Sequence, residues 1–182
     1  MQRGSLWTGR VGLLTAGAAT AAALVTWWAT SIPGGWFGVL LAAGTAWLVV
    51  GLAWLAGLVT VLALRLRPAR LWSWAVAPVL LVATYGLVKA DVPLLVRFHL
   101  SEPALTAFAS SGFTAGVQGA SVGLYDIEFA ENLPEGALLV VRDSGFIDRY
   151  GFAWFPEGVP AKPDPTAYEH LSGDWYVYTW RF

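Results

Sequence analysis

The chain of 182 residues contains no cysteine and only two histidines. Without cysteine, disulfide bonds and thiolate chemistry are excluded, so any folded domain must be held together by core packing. Acidic residues are missing from the first 70 positions, where each of the five charges is an arginine. The 12 acidic residues and the other six basic ones all follow, so the charge of the chain is strongly asymmetric.

Long apolar segments fill the first half of the chain. Residues 11–30, 37–64 and 71–88 each provide 18 or more positions without a charged side chain. At about 1.5 Å per residue, a helix of that length crosses roughly 30 Å of hydrocarbon. We therefore predict an all-α membrane domain of three transmembrane helices over residues 1–90. The first segment exceeds the roughly 7–15 residues of a signal-peptide core, so we expect it to be retained.

No Asp, Glu, Lys, Arg or His lies inside these three segments. Pumps, proton relays and ion carriers normally place an ionisable side chain at bilayer depth. The absence argues against an ion-coupled transporter.

The early arginines predict how the chain is oriented. They are Arg3 and Arg10 before the first segment and Arg65, Arg67 and Arg70 between the second and the third. The connection Ser31–Trp36 carries no charge. The positive-inside rule then places the N-terminus in the cytoplasm, and an odd number of spans places residues 91–182 outside it. The sequence thus predicts a multi-pass plasma-membrane protein with an extracytoplasmic C-terminal domain.

One seam of the second segment alternates glycine with tryptophan. Gly44, Trp47, Gly51 and Trp54 recur at steps of three and four, the spacing of a helix-packing seam. Since glycine lets helix backbones approach closely in lipid, we predict that this seam packs against another helix. The alternative is that the spacing arises by chance in an apolar helix. Trp74, near the inner face, is expected in the interfacial aromatic belt.

The sequence pattern of residues 91–182 predicts a small α+β domain with a mainly antiparallel sheet. Apolar alternation over Leu94–Leu100 predicts a strand, and Ser101 reads as the N-cap of a short helix that ends near Ser110. Residues 111–119 are expected to form a loop, and residues 156–167 a proline-rich one. Further strands are predicted near Tyr125–Phe129, Leu138–Val141, Tyr150–Phe155 and Trp175–Phe182.

Several phrases of this domain resemble a group of uncharacterised small multi-pass membrane proteins common in actinobacteria. They are Val122-Gly123-Leu124-Tyr125, Ser144-Gly145-Phe146, Gly151-Phe152-Ala153-Trp154-Phe155-Pro156, Tyr168-Glu169-His170-Leu171 and Gly173-Asp174-Trp175-Tyr176. The resemblance covers residues 92–182 and implies the architecture only. It supplies no catalytic residue, because no activity is assigned to that group. Nine arginines against two lysines fit the GC-rich coding background of such organisms.

Three patterns suggest catalysis, and the sequence favours a simpler reading of each. Ser121 lies in a G-x-S-x-G match, but the nucleophile elbow needs a strand before the serine and a helix after it, the reverse of the order predicted here. His99 and His170 show no metal-ligand spacing, which favours two surface histidines. The pair Asp126 and Glu128 on one strand face is more simply a solvated face than a glycosidase site. We predict no catalytic residue, metal or cofactor; the alternative is an extracytoplasmic hydrolase that uses acidic and histidine residues of this domain.

The last predicted strand places Tyr176, Tyr178, Trp180 and Phe182 on one face. These rings, with the nearby His170, are candidate ligand-binding residues, and the same face can instead be core or rest on the membrane. The acidic domain shows no basic stripe, which argues against nucleic acid. The predicted partners are the lipid bilayer and another membrane or envelope protein, and the predicted role is a non-catalytic one.

Overall fold

The computed structural model describes residues 2–63, 71–113, 117–159 and 166–180. In these ranges four helices precede a six-stranded antiparallel sheet. The helices are α1 (Gln2–Ala29), α2 (Phe37–Ala63), α3 (Leu71–Lys89) and α4 (Val92–Ser110). The strands are β1 (Val117–Val122), β2 (Tyr125–Leu133), β3 (Gly136–Val141), β4 (Arg149–Trp154), β5 (Thr166–Ser172) and β6 (Trp175–Trp180).

The chain divides into two compact units. The helix unit comprises Met1–Trp28 and Gly38–Ala90, and the sheet domain comprises Ala29–Phe37 and Asp91–Phe182. The sheet domain therefore includes the α1–α2 loop (Ala29–Phe37) besides the C-terminal half of the chain.

The three apolar segments form helices, as predicted. Arg10–Ala29 and Phe37–Ala63 are long and apolar enough to cross a membrane. A third span results only if Trp74–Lys89 and Val92–Ser110, bent by 54°, are counted as one broken span. Two or three helices are thus compatible with membrane crossing. The three arginines of the connection between α2 and α3 lie outside the described residues.

Two tryptophans of the predicted seam join the helices of the helix unit. The indole of Trp47 donates a hydrogen bond to Thr26 Oγ1 of α1 at 3.0 Å, and that of Trp54 donates to the carbonyl of Trp74 in α3 at 2.8 Å. Both rings pack against a small core of Ala19, Val50 and Ala77. Polar contacts of this kind stabilise helix association in lipid, where hydrophobicity gives no preference for protein.

The glycines of that seam are not the point of closest approach. A Cβ atom built on Gly44 or Gly51 would meet no described atom within 4 Å, whereas one on Gly57 would lie 2.8 Å from the Trp74 ring. Trp74 is only 8% exposed, so its ring fills the space over Gly57 and the expectation that it belongs to a lipid-facing belt is wrong. The buried stripe of α2 runs through Ala43, Val50, Gly57 and Val61, one position away from the two seam glycines.

We expect Gly57→Leu to lower the free energy of unfolding of the helix unit by about 1–3 kcal/mol, because the added carbons overpack against the Trp74 ring. Gly44→Leu is the matched control and should change it by no more than about 0.5 kcal/mol, since the site is open. Thermal unfolding in detergent, followed by near-ultraviolet circular dichroism, measures both. Equal melting temperatures for the two variants would contradict this packing.

The strand predicted at Leu94–Leu100 is wrong, because these residues belong to helix α4. The chain is helical from Val92 to Ser110, and Ser101, predicted as an N-cap, lies inside it with its hydroxyl donating to the Arg97 carbonyl at 2.9 Å. The buried positions follow helical spacing: Leu94, Phe98, Ser101, Leu105 and Ala109. The alternation over seven residues was misleading because the apolar residues at 96 and 100 face away from the core. Pro93, in the first turn, favours the helix start.

The burial of α4 side chains can be tested by their effect on stability. Phe98 is completely buried, whereas Leu100 is 71% exposed. We expect Phe98→Ala to cost about 3–5 kcal/mol of sheet-domain stability and Leu100→Ala to cost less than about 0.5 kcal/mol. A strand would bury both side chains, so similar losses in thermal unfolding would contradict the helix.

The sheet has the order β1-β2-β3-β4-β6-β5, and each neighbouring pair is antiparallel. The antiparallel sheet was predicted, but β1 replaces part of the predicted loop 111–119, and β5 was missed. Helix α4 covers one face, where its apolar side chains meet those of the strands, among them Ile127, Leu139, Phe152 and Trp175. This shared cluster is the main core of the sheet domain.

The α1–α2 loop is part of that core. Ile32 is 3% exposed and belongs to the cluster beneath α4. The Tyr125 hydroxyl donates to the Ser31 carbonyl at 3.3 Å, and the Arg97 guanidinium donates to the Ser31 hydroxyl at 2.9 Å. The same guanidinium donates to the Leu124 carbonyl and lies 4.7 Å over the Tyr125 ring. A loop that is distant in sequence is thus fixed by core and polar contacts.

Candidate functional site

The sheet face opposite α4 carries a band of aromatic side chains. Side chains alternate along β6, so Trp175 and Val177 join the core under α4, while Tyr176 and Tyr178 point to the opposite side. We call this second side the aromatic face: Phe129, Phe155, Tyr168, Tyr176, Tyr178 and Trp180. None of the described helices contributes to the cluster on this face.

The candidate ligand-binding residues differ in how much of each ring is available. Tyr178 is 2% exposed, and its ring lies over Gly151, where a Cβ atom would approach the ring to 2.5 Å. Trp180 is 48% exposed, and Tyr176 and Tyr168 are half-buried. Tyr178 is therefore a core residue, whereas the rings of Trp180, Tyr176 and Tyr168 are accessible to a ligand or partner. Phe182 lies outside the described residues.

His170 has a local structural role at the edge of this face. Its Nε2 lies 2.9 Å from the carbonyl oxygen of Gly173, to which it donates across the β5–β6 turn. Its ring also meets the edge of Tyr176, with 5.3 Å between centroids. The histidine holds the turn closed and places Tyr176 beside it.

The phenols of this face are kept neutral by burial. Desolvation raises the pKa of Tyr178, and the nearby Tyr168 and the carboxylates of Glu131 and Glu128 raise it further, while Arg149 opposes the shift. Desolvation also raises the pKa of Tyr168. Arg149 and Glu128 form an ion pair at 3.8 Å whose side chains are about half exposed. The polar margin of the face thus carries charge, whereas its centre does not.

This shift predicts how sheet-domain stability responds to pH. The pKa of Tyr178 is higher in the folded protein than the ordinary value of 10.0, so the contribution of this group to stability is fully present below pH 10 and declines as the pH rises above it. We expect Tyr178→Phe to make the decline shallower in alkaline unfolding titrations. An unchanged alkaline profile in this variant would contradict the assignment.

A groove next to the aromatic face collects carboxylates. It has a volume of about 360 Å³ and lies between β2 and the loop that joins β3 to β4. Glu128, Asp143 and Asp148 line it together with Arg149. No histidine lines the groove, and the described residues contain no group of three or more His, Cys, Asp or Glu that could hold a metal ion.

The catalytic candidates Ser121, His99 and His170 do not lie together in the structure. Ser121 lies within β1 before a turn into β2, and its hydroxyl donates to Asp126 at 2.8 Å, so the strand-to-helix elbow is missing there. His99 lies on the exposed side of α4 and pairs with Glu102 at 3.1 Å. Because α4 and His170 lie on opposite sides of the sheet, the serine and the two histidines do not form one site.

Comparison with protein-family models, curated proteins and solved structures finds no match.

The structural role of the α1–α2 loop was not predicted. The sequence does contain a signal for it, because Ile32, Pro33 and two consecutive glycines lie in a short connection that has no charge. Gly34 has a φ of +70°, and a Cβ atom there would lie 2.2 Å from the Tyr150 ring, so a side chain would be both strained and obstructed.

Proposed function

We propose that this chain is an integral plasma-membrane protein with three spans, whose sheet domain lies outside the cytoplasm and binds another membrane or envelope protein or an envelope ligand without catalysis. The observation that carries the binding role is the aromatic face, with its exposed Trp180 beside half-buried Tyr176 and Tyr168.

The α1–α2 loop supports a third span. If α1 and α2 both cross the bilayer, α2 ends on the side opposite this loop. The sheet domain encloses the loop, so the chain after α2 must return to the loop's side before Asp91. Helix α3 has 19 residues, about 28 Å at 1.5 Å per residue, which is close to the hydrocarbon thickness. The α3 and α4 segments pass the span criterion only together, and because α4 packs on the sheet we assign the crossing to α3.

The arginine distribution supports the outward placement. Three of the early arginines lie in the connection between α2 and α3, which the proposal places on the far side of the bilayer from the α1–α2 loop, and that loop carries no charge. The positive-inside rule therefore favours a cytoplasmic α2–α3 connection and an external sheet domain.

The aromatic face supports binding because large, rigid rings supply contact area at little conformational cost, and Tyr and Trp are enriched in binding sites. The available rings lie at one end of the face, beside the edge strand β5. Ligand contact there would leave the main core under α4 undisturbed.

The competing function is hydrolysis by an acidic site. The groove with Glu128, Asp143 and Asp148 is the observation that favours it. Against it, each candidate nucleophile or base has a local partner: Ser121 bonds Asp126, His99 pairs with Glu102, and His170 caps its own turn. We therefore prefer binding.

The topology is tested with reporter fusions. A phosphatase that is active only outside the cytoplasm should be active after Phe182 and silent at Pro68. A cytoplasmic fluorescent reporter at the same two positions should give the opposite pattern. Activity at Pro68 with silence after Phe182 would overturn the orientation.

The binding role is tested with a photo-crosslinking residue placed at position 180 in the native membrane. We expect a discrete adduct from position 180 and none from position 100, an exposed site on the helix side of the sheet. Trp180→Ala should melt like the wild type yet lose the adduct formed from position 176. If folded Glu128→Gln or Asp148→Asn variants lose the cellular function while Trp180→Ala retains it, the result supports the hydrolase and contradicts the binding proposal.

A further inference from the structure

We propose that the loop between β3 and β4 inserts its tip, Phe146 and Ile147, into the outer interface of the membrane that α2 crosses. This inference rests on the proposed membrane placement and adds a contact that the three spans do not supply. The two side chains are 72% and 70% exposed and are adjacent in sequence. Large apolar side chains exposed together normally mark an interaction site.

The tip is attached to the beginning of α2. The Gly145 amide donates to the Gly35 carbonyl at 3.0 Å, and Gly145 forms a parallel bridge with Trp36. The Phe146 ring stacks on that of Phe37, with 4.3 Å between centroids. Phe37 is the first residue of α2. These contacts all lie within the sheet domain, whose α1–α2 loop brings Phe37 to the tip.

The length of α2 bears on the depth of its first residue. Its 27 residues span about 40 Å, which exceeds the roughly 30 Å of hydrocarbon, so the helix either tilts with its ends at the hydrocarbon boundary or projects into the headgroup region. A ring stacked on the first residue therefore lies at the interface between headgroups and acyl chains. Aromatic and aliphatic side chains are favoured at that depth.

The loop is held in one shape around this tip. The Ser144 hydroxyl lies 2.8 Å from the carbonyls of Val141 and Tyr150 and accepts from the Tyr150 amide at 3.2 Å. Gly145 has a φ of +74°, and a Cβ atom there would lie 2.4 Å from the Asp148 carbonyl, so only glycine fits the bend. The exposure of the two side chains is therefore a consequence of a built conformation.

The charges that flank the tip balance one another. Asp143 and Asp148 lie on either side of the tip and line the adjacent groove together with Arg149, and Arg142 precedes Asp143 in sequence. These two carboxylates and two guanidinium groups carry no net charge, so the tip has no electrostatic preference for anionic headgroups, and phosphatidylcholine is the appropriate test lipid.

Because the chain has no cysteine, single cysteines can report the environment of chosen positions. We would label Ile147→Cys with an environment-sensitive fluorophore in the full chain, reconstituted in phosphatidylcholine nanodiscs that leave both faces open to solutes. Two matched labels serve as references: Leu48→Cys, 65% exposed within α2, and Glu157→Cys, exposed after β4. Quenching by spin-labelled lipids and by aqueous iodide is measured for each.

We expect spin labels near the headgroups to quench the label at position 147 and iodide to quench it at least about threefold less than the label at 157, in line with a partly buried interfacial side chain. Deep spin labels should quench position 48. If position 48 responds to lipid but position 147 responds to iodide like position 157, the tip stays in water and this inference fails alone. Protection of position 147 from both quenchers would also overturn it, since a protein then covers the tip. Absence of lipid quenching at position 48 would overturn the membrane placement as well.

Discussion

The architecture of this protein depends on the burial of the α1–α2 loop inside the sheet domain. Ile32 occupies the core under α4, and Ser31 is held by the Tyr125 hydroxyl and the Arg97 guanidinium. Arg97 in turn lies over the Tyr125 ring, where the guanidinium is attracted to the face of the aromatic ring. Burial and the nearby charge act oppositely on Tyr125: desolvation raises its pKa and Arg97 lowers it, with desolvation the larger effect.

Burial of this loop bears both on the membrane topology and on which face of the sheet is exposed. A loop between two apolar helices cannot lie in a domain on the other side of a bilayer, so it ties the proposed number of spans to the position of the sheet. The two sheet faces also differ. The face under α4 holds the domain together and receives the loop, and the aromatic face is the one for which we propose a ligand or partner. The β3–β4 tip, bonded to the same loop, is the part of the domain that we place next to lipid.

The helices of the first half were predictable because long uncharged segments permit few alternatives. The contact face of α2 was predicted less well: Trp47 and Trp54 do join helices, but Gly57 is the glycine in close contact, since the Trp74 ring that selects it belongs to another helix. The same limit explains α4. Seven residues of alternation indicate a strand, and only the core contacts of Phe98 and Leu105 decide for a helix.

The candidate site, too, was only partly predictable from the sequence. Alternation along β6 correctly grouped Tyr176 and Tyr178, but burial of Tyr178 over Gly151 depends on strand pairing that the sequence does not state. The docking of the α1–α2 loop joins positions that are more than 60 residues apart, as the Arg97–Ser31 bond illustrates. Contacts at that separation follow from tertiary packing and have no local pattern.

Hydrogen exchange in Ile32→Ala is the most direct test of this account. Removing a buried isoleucine side chain costs about 2–5 kcal/mol, so amides of β2, β3 and β4 in the detergent-solubilised full chain should exchange at least about tenfold faster than in the wild type. Leu41→Ala, which truncates a 64% exposed side chain of α2, should leave those strands unchanged. If exchange in the strands is the same in Ile32→Ala as in the wild type, the loop is not part of the sheet-domain core and the central claim is contradicted.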